Sequence, residues 1–332
     1  TQNVLDNLCY QYKYDYRNRL VEKKLPGKNW EYIVYNSQNM PVATGPSYNP
    51  WGASNQSEIG WLITKYDALN RIVYTAWYNG RGVSAVDRNN YQTEQNLLAS
   101  PYEGIDNNYS FDNITIGYTN KVLPMSSFKI LTINYYDGYN YPNAPTLPTT
   151  LPHSLFPIAT SVKGLPTGTW VRVLDDPNNT SNELSYTFYD NKFRPVQNNS
   201  MNYLGGYTQV DSNLDWAGKT IYTVTKHKRT VNDTEIVVKD MFEYTDQDRL
   251  ELHKQQINNL PEQLISKNSI SMSSHHFVKE KQEPALYIHQ LGTFDEEYLG
   301  QLLEWSPTLI VLANEYEKVV SLGLKVDIII GN

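Results

Sequence analysis

Residues 14–20 read Tyr-Asp-Tyr-Arg-Asn-Arg-Leu, and this order of residue types returns at 66–72 (Tyr-Asp-Ala-Leu-Asn-Arg-Ile) and at 189–195 (Tyr-Asp-Asn-Lys-Phe-Arg-Pro). Each copy contains a tyrosine, then an aspartate, and an arginine four positions after the aspartate. An apolar residue or proline follows the arginine. The repeated residues are Tyr14, Asp15 and Arg19 in the first copy, Tyr66, Asp67 and Arg71 in the second, and Tyr189, Asp190 and Arg194 in the third.

The repeated pattern is typical of a β-hairpin. The aspartate can accept hydrogen bonds from backbone amides of the turn, and Asn18 and Asn70 tolerate the left-handed conformation that such turns need. The arginine can reach back to the aspartate. The tyrosine is expected to stack on the equivalent ring of the next hairpin. Capping of turns therefore explains these aspartates better than catalysis does.

Looser copies occur at residues 35–41 (Tyr-Asn-Ser-Gln-Asn-Met-Pro) and 244–250 (Tyr-Thr-Asp-Gln-Asp-Arg-Leu). Between the copies, aromatic and polar residues alternate in short runs such as 132–136 and 185–189, and such alternation predicts half-buried strands. Turn-forming pairs separate these runs. The one helical pattern is a modest one over residues 92–99. The sequence therefore predicts a mainly β fold built from antiparallel hairpins.

With these motifs, residues 8–268 resemble the YD-repeat proteins of the Rhs type, in particular large Rhs-repeat proteins of Bacteroidetes. The resemblance implies a curved, shell-like antiparallel sheet in a secreted or cell-surface protein. It also implies that the sheet encloses a C-terminal cargo or adjoins neighbouring repeat sheets. The spacing of the copies is irregular, and the proline-rich stretch 142–157 is an extended excursion outside the repeat. The self-cleaving aspartates of the family's terminal core are not recognisable in this sequence.

Composition changes abruptly near residue 270. Residues 272–332 carry four lysines and nine acidic residues, a net charge of −5, whereas the first 271 residues carry −2 of the total of −7. Asparagine occurs twice in residues 272–332 and 32 times before them. The sequence therefore predicts a repeat region at 1–268, a junction at 269–284 and a different segment at 285–332.

The segment 285–332 alternates apolar strands with helices. Continuous apolar runs at 285–289, 308–312 and 326–330 predict buried parallel strands. A capping box, Thr-Phe-Asp-Glu at 293–296, predicts a helix between the first two strands, and a second helix is predicted after Asn314. This βαβαβ order indicates a small α/β fold, which binds ligands at the carboxyl ends of its strands.

Residues 272–332 resemble the N-terminal, ATP-binding part of a thiamine pyrophosphokinase of the Bacteroidetes kind, truncated. The resemblance is carried by 272–276, 282–286 and 299–307, and by the final Lys-Val-Asp-Ile-Ile-Ile-Gly-Asn. It implies transfer of a diphosphoryl group from ATP to thiamine, with Mg²⁺ held by acidic residues, in the cytoplasm. The matching positions are Asp327, Gly331 and Asn332, where Asn332 replaces an acidic residue. An amide in place of a carboxylate weakens binding of Mg²⁺.

Other features restrict the function classes. A net charge of −7 argues against a nucleic-acid partner, because phosphate contacts need a concentrated basic face. No apolar run is long enough to span a bilayer. Cys9 is the only cysteine, so an intrachain disulfide and a thiolate metal cluster are excluded. The histidines lack the spacing of metal ligands, and we expect neither a metal site nor a cofactor in the repeat region.

Three interpretations follow from the sequence. The first is a structural or interaction module without a complete active site, that is, a fragment of an Rhs-type shell. The second is a thiamine pyrophosphokinase represented by its N-terminal fragment and preceded by unrelated repeat sequence. The third is that two genes have been joined artificially between Asn268 and Met272, where Met272 reads as a start methionine. The first is favoured by the extent of the repeat region, and the second by the tail alone.

Overall fold

The computed structural model describes residues 2–52, 58–148, 151, 156–267, 285–288, 308–322 and 324–330. In these ranges the helices are α1 (Gln2–Leu8), α2 (Ala85–Asn96), a 3₁₀ turn (Ala313–Glu315) and α3 (Tyr316–Ser321). The strands are β1 (Gln11–Tyr14), β2 (Leu20–Lys24), β3 (Glu31–Tyr35), β4 (Pro41–Tyr48), β5 (Ile59–Tyr66), β6 (Ile72–Tyr78), β7 (Ile105–Phe111), β8 (Ile114–Tyr118), β9 (Phe128–Asp137), β10 (Val162–Arg172), β11 (Asn182–Tyr189), β12 (Pro195–Met201), β13 (Gly205–Leu214), β14 (Thr220–Thr230), β15 (Ile236–Tyr244), β16 (Leu250–Ile257), β17 (Gln263–Lys267), β18 (Ala285–Ile288), β19 (Thr308–Leu312) and β20 (Ile328–Ile330).

Fifteen of the strands in the described ranges form one sheet in the order β1-β2-β3-β4-β5-β6-β9-β10-β11-β12-β13-β14-β15-β16-β17. Neighbours in this order follow one another along the chain except at β6–β9, where α2 and the separate β7–β8 hairpin are inserted. The sheet is antiparallel, so alternate connections lie at the same edge. The prediction of a mainly β fold made of antiparallel hairpins is confirmed.

Strand β5 buries alternate residues over 61–65, as a strand with one face in the core requires. In β5, Trp61, Ile63 and Lys65 are buried while Leu62 between them is exposed. The main core gathers such residues from β3 to β10 and from the β7–β8 hairpin. A second cluster joins Phe188, Val196 and Leu214 to Leu147 and Leu151 of the proline-rich stretch, so these two leucines pack against the sheet.

Helix α2 extends over Ala85–Asn96, so the predicted helical pattern over 92–99 had the wrong bounds. The helix begins at Ser84, whose hydroxyl accepts the amide of Asp87 at 3.2 Å. Its buried face is mostly polar: Arg88, Gln92 and Gln95 lie there beside Tyr91, which belongs to the main core. Because apolar spacing was the signal sought, the first turns of this helix were missed, and so was α1.

The Gln92 side chain shows what the polar face of α2 does. Its Nε2 donates to the Tyr35 carbonyl at 2.7 Å, and its Oε1 accepts the Tyr35 amide at 3.0 Å. Arg88 Nε donates to the Ile33 carbonyl at 2.8 Å. The helix thus binds the backbone of β3 through side-chain hydrogen bonds.

The chain separates into two compact units, Thr1–Phe242 with Lys254–Gln263, and Glu243–His253 with Leu264–Asn332. In the second unit β18, β19 and β20 are parallel, with Ile310 of β19 between Tyr287 and Ile328. Its small core contains Leu309, Val311 and Val319. The parallel arrangement matches the predicted α/β character of the tail. The helix predicted from residue 293 and the junction at 269–284 lie outside the described residues.

No helix in the described ranges is long and apolar enough to cross a membrane.

The burial pattern of β5 allows a direct test of which face of this strand lies in the core. Ile63 is fully buried and Leu62 is 37% exposed. Replacing Ile63 by alanine should lower the free energy of unfolding by about 2–5 kcal/mol, because a cavity remains in the core. The control Leu62→Ala should cost less than about 1 kcal/mol. Urea denaturation measures both, and equal losses would contradict the assigned face.

Candidate functional site: the repeated Asp–Arg turns

The second copy of the repeated pattern shows the turn in full. Asp67 Oδ1 accepts the amides of Leu69 and Arg71, each at 2.9 Å, and its Oδ2 accepts Arg71 Nε at 2.7 Å. The backbone closes the loop, because the Asp67 amide donates to the Arg71 carbonyl at 3.0 Å and the Asn70 amide donates to the Asp67 carbonyl at 3.0 Å. One carboxylate therefore holds both the turn backbone and the arginine.

The first and third copies repeat these contacts. Arg19 Nε and Arg194 Nε each donate to their own aspartate Oδ2 at 2.8 Å. Asp15 Oδ1 accepts turn amides at 2.9 and 3.0 Å, and Asp190 Oδ1 at 2.8 and 3.0 Å. The hydrogen bonds expected from the sequence are thus present in all three turns.

The residue before the arginine is left-handed in every copy. Its φ is 58° at Asn18, 62° at Asn70 and 62° at Phe193. The strand register shifts beside each turn, between Lys13 and Tyr14 in the first case. A three-residue loop with a left-handed residue and an adjacent bulge is a common hairpin connection that bends and twists the strand pair.

Four further turns have this geometry, and two of them lie outside the copies that the repeated pattern predicts. Asn36 and Thr245, in the looser copies, also accept two turn amides each through the side chain. Asn202 and Asp215 do so as well, with left-handed Gly205 and Gly218 at the position that Asn occupies elsewhere. These two turns lack the tyrosine of the repeated pattern, so the pattern does not identify them. An Asn or Asp three residues before a glycine is the signal that could have found them.

The arginine also contacts the next turn at the same edge of the sheet, which sequence reasoning did not predict. Arg71 donates from its two terminal nitrogens to Asp137, at 2.9 Å to Oδ1 and 2.6 Å to Oδ2. Arg19 donates to Asn39 Oδ1 at 3.1 Å, and Arg194 to the Asp215 carbonyl at 2.8 Å. Each guanidinium therefore joins its own aspartate to the following turn.

The tyrosine makes the reverse contact, toward the preceding turn. The hydroxyl of Tyr35 donates to the Leu20 carbonyl at 2.8 Å, that of Tyr66 to the Pro41 carbonyl at 2.8 Å, and that of Tyr136 to the Ile72 carbonyl at 3.0 Å. Each acceptor carbonyl belongs to the first residue of the strand after a turn. These forward and backward contacts together are called the turn ladder below.

The predicted stacking of tyrosine on tyrosine was wrong for these rings. Instead the Arg19 guanidinium lies 4.7 Å from the Tyr35 ring centre, and Arg71 lies 4.4 Å from that of Tyr136. A planar cation satisfies the ring face and the neighbouring carboxylates at once.

Two carboxylates of the turn ladder, those of Asp15 and Asp137, have a pKa below the ordinary value. The hydrogen bonds from Arg71 are the main reason that the pKa of Asp137 lies below its ordinary value, and the Gly164 amide adds to the effect against the cost of burial. Burial opposes ionisation of Asp15, yet the amide and side chain of Arg19 still lower its pKa. The carboxylate of Asp190 has no exposed surface.

In these contacts the oxygens of the turn carboxylates accept hydrogen bonds from backbone amides and from guanidinium groups. A general base or a nucleophile needs an oxygen directed at a substrate, and these oxygens are directed at the protein. In the described part of the chain no group of three His, Cys, Asp or Glu side chains is arranged to hold a metal ion. The arrangement is suited to fixing strands relative to one another.

In the tail, Asp327 precedes β20 and lies at its amino end. Its Oδ2 accepts the Leu309 amide at 2.9 Å, and its own amide donates to the Leu309 carbonyl at 3.0 Å. The other two positions carried over from the kinase resemblance, Gly331 and Asn332, lie outside the described residues. Binding of Mg²⁺ and ATP in the tail stays a prediction.

No protein-family model matches the chain, and no curated protein matches it. Among solved structures, a crystal structure of TcdB2-TccC3-TEV is similar over 74% of this chain and 11% of that chain, with 8% identity and a TM-score of 0.26. A crystal structure of TcdB2-TccC3-Cdc42 is similar over 80% of this chain and 13% of that chain, with 8% identity and a TM-score of 0.20. The chain thus spans a small part of the length of both.

The left-handed position gives a paired prediction. Phe193 is 57% exposed and has a φ of 62°, which strains a bulky side chain. Phe193→Gly should raise the free energy of unfolding by about 0.5–1 kcal/mol, and Gly218→Ala should lower it by about 1 kcal/mol. A Cβ at Gly218 would meet nothing closer than 3.6 Å, so that loss reports the backbone alone. Thermal unfolding measures both; a destabilised Phe193→Gly would contradict the account.

The lowered pKa of Asp137 predicts a pH dependence. The stability it contributes is fully present above the ordinary value of 3.8 and is lost as the pH falls through the lower folded value. Asp137→Asn should therefore be less stable than the wild type at neutral pH, with a difference that shrinks below about pH 4. Urea unfolding across pH measures this, with exposed Asp246→Asn as the control for a lost charge. A difference that grows on acidification would contradict the assignment.

Proposed function

We propose that the chain is a structural repeat module of the YD type in a secreted or cell-surface protein. Its role is to hold a sheet of hairpins in fixed register, next to further repeat sheets or around a C-terminal cargo. The observation that carries the proposal is the turn ladder, in which Arg71 joins Asp67 to Asp137 while Tyr66 joins its hairpin to the preceding one. The sequence resemblance to Rhs-type proteins agrees with it.

The energetics favour a scaffold. An exposed ion pair contributes roughly 0–1 kcal/mol, but a bidentate arginine within a network of backbone hydrogen bonds is more strongly fixed. The Arg71 and Asp137 side chains are 21% and 35% exposed, which limits screening by water. Repetition of such a contact at successive turns specifies which hairpins are neighbours.

The first hairpin presents an incomplete ladder contact, and this supports a neighbouring repeat as the partner. Tyr14 occupies the position of Tyr35 and Tyr66, yet it is 61% exposed. In the described residues β1 pairs with β2 only. A further repeat hairpin beside β1 would supply both the strand and the carbonyl that a Tyr14 hydroxyl can bind.

The second candidate is a thiamine pyrophosphokinase fragment, which rests on the sequence resemblance of residues 272–332; the parallel order of β18, β19 and β20 agrees with the α/β character of that segment. Such an enzyme releases AMP when it transfers the diphosphoryl group. For this chain we expect no AMP release from ATP in the presence of thiamine and Mg²⁺. Turnover that is abolished by Asp327→Ala would support the kinase and contradict a purely structural role.

Hydrogen exchange tests the structural role. In Arg71→Ala we expect faster exchange in both flanking hairpin segments, residues 59–78 and 128–137, because the cross-link between two turns is lost. Arg17→Ala is the matched control, since Arg17 lies inside a turn of the same type and its side chain contacts Tyr16 beside it. That control should change exchange only near residues 15–19. Changes confined to residues 67–71 in Arg71→Ala would contradict a scaffold.

A further inference from the structure

A lysine side chain lies in the core and makes none of the contacts of the turn ladder. The side chains of Lys65 on β5 and Glu103 have no exposed surface. Lys65 Nζ donates to Glu103 Oε1 at 3.1 Å, to the Val122 carbonyl at 2.6 Å, and to the side-chain oxygen of Asn120. An amine, a carboxamide and a carboxylate therefore meet in one buried place.

A buried ion pair is a costly way to fill a core. Removing both charges from water costs several kcal/mol per ion, and apolar side chains of similar volume often serve stability as well or better. Desolvation lowers the pKa of Lys65 to about 8, against the opposing charge of Glu103. A lowered pKa increases the share of the neutral amine, and a neutral amine is a nucleophile.

The carboxamide of Asn120 is held in one orientation. Its Nδ2 donates to the Tyr109 hydroxyl at 3.1 Å and to the Met125 carbonyl at 2.8 Å, so its Oδ1 is directed at the lysine. The Tyr74 hydroxyl lies 3.1 Å from the Thr119 carbonyl and 3.4 Å from both the Asn120 oxygen and Glu103 Oε1, so its one proton can turn from the carbonyl toward the Asn120 oxygen when charge develops there. The rings of Tyr74 and Phe128 each lie 5.2 Å from Lys65 Nζ and restrict access of water.

Glu103 is held beside the amine. Its Oε2 accepts the Thr119 hydroxyl and the Lys121 amide, both at 2.8 Å, and its Oε1 accepts the Val122 amide at 3.0 Å. The distance of 3.1 Å from Oε1 to Lys65 Nζ is within reach for direct proton transfer. The pocket thus contains a nucleophile, an acyl group and a proton carrier.

We propose that Lys65 and Asn120 join in an intramolecular isopeptide bond, with Glu103 as the proton carrier. Nζ attacks the Asn120 side-chain carbon, the Nζ–Cγ bond forms, and the oxygen of the resulting oxyanion is stabilised by the Tyr74 hydroxyl. The Cγ–Nδ2 bond then breaks. Glu103 takes protons from Nζ and returns them to the departing nitrogen, which leaves as ammonium. Two protons of the lysine ammonium leave in this way, the carboxylate of Glu103 is restored, and nothing is oxidised or reduced.

The bond would link β5 to the segment after β8. Lys65 and Asn120 are 55 positions apart, and the chain between them contains β6, α2 and the β7–β8 hairpin. A covalent link across such a loop stabilises the fold by restricting the unfolded chain. The inserted α2 and β7–β8 would then be fastened to the sheet by a covalent bond as well as by packing.

Mass spectrometry of the purified full chain tests the proposal. The intact mass should be lower than that of the sequence by one ammonia, and a proteolytic digest should contain one branched peptide that joins the Lys65 and Asn120 segments. Lys65→Arg, Asn120→Ala and Glu103→Gln should each restore the full mass. Lys129→Arg is the matched control, because Lys129 Nζ contacts the Asp112 carboxylate at 2.8 Å, and the ammonia loss should persist in it.

The wild-type chain decides the outcome without any variant having to fold. Full intact mass together with linear peptides containing Lys65 and Asn120 would overturn the proposal. So would an ammonia loss that maps to another asparagine or glutamine. A cross-link that persists in Glu103→Gln would refute the role of Glu103. None of these results bears on the turn ladder, so failure here leaves the proposed structural role to its own test.

Discussion

Three turns of the large sheet depend on the same contact, that of the closing arginine with its own aspartate and with the next turn. The aspartate satisfies two turn amides that would otherwise point at solvent, and the arginine neutralises it. Hydrogen bonds to a charged group contribute about 1.5–3 kcal/mol each when well placed. Because the same guanidinium reaches the following turn, it fixes one hairpin relative to the next.

These contacts fix the pairing register of neighbouring strands. A slip of one residue in any strand pair would exchange the buried and exposed faces along the whole strand. The bulge beside each turn and the left-handed residue within it set the pairing, so that Tyr66 opposite Ile72 follows directly from Asp67 and Asn70. The Tyr66 hydroxyl also donates a hydrogen bond to the Pro41 carbonyl, which fixes this strand pair relative to the preceding hairpin.

The local turn could be predicted from the sequence because its chemistry is contained in five successive residues. The contacts between turns could not, since Arg71 and Asp137 are 66 positions apart and are separated by the inserted α2 and β7–β8. Helix α2 was partly missed because its buried face is mostly polar. The turns at Asn202 and Asp215 do not match the repeated pattern because they lack its tyrosine, while the geometry needs only a side-chain acceptor and a residue that tolerates positive φ.

The buried cluster around Lys65 is a second case of contacts that the sequence alone does not predict. No motif in the sequence unites Lys65, Glu103 and Asn120, which come from a strand and from two connections of the inserted segment. Their meeting depends on how the β7–β8 hairpin packs against the sheet. Chemistry that depends on tertiary contacts of this kind can be recognised only after the fold is known.

A double-mutant cycle between Arg71 and Asp137 tests the central claim most directly. The free energy of unfolding would be measured by urea denaturation for Arg71→Ala, Asp137→Ala, the double variant and the wild type. If the arginine couples adjacent turns, the sum of the losses in the two single variants exceeds the loss in the double variant by more than about 0.5 kcal/mol. Losses that add within about 0.3 kcal/mol would contradict it, because the two turns would then be energetically independent.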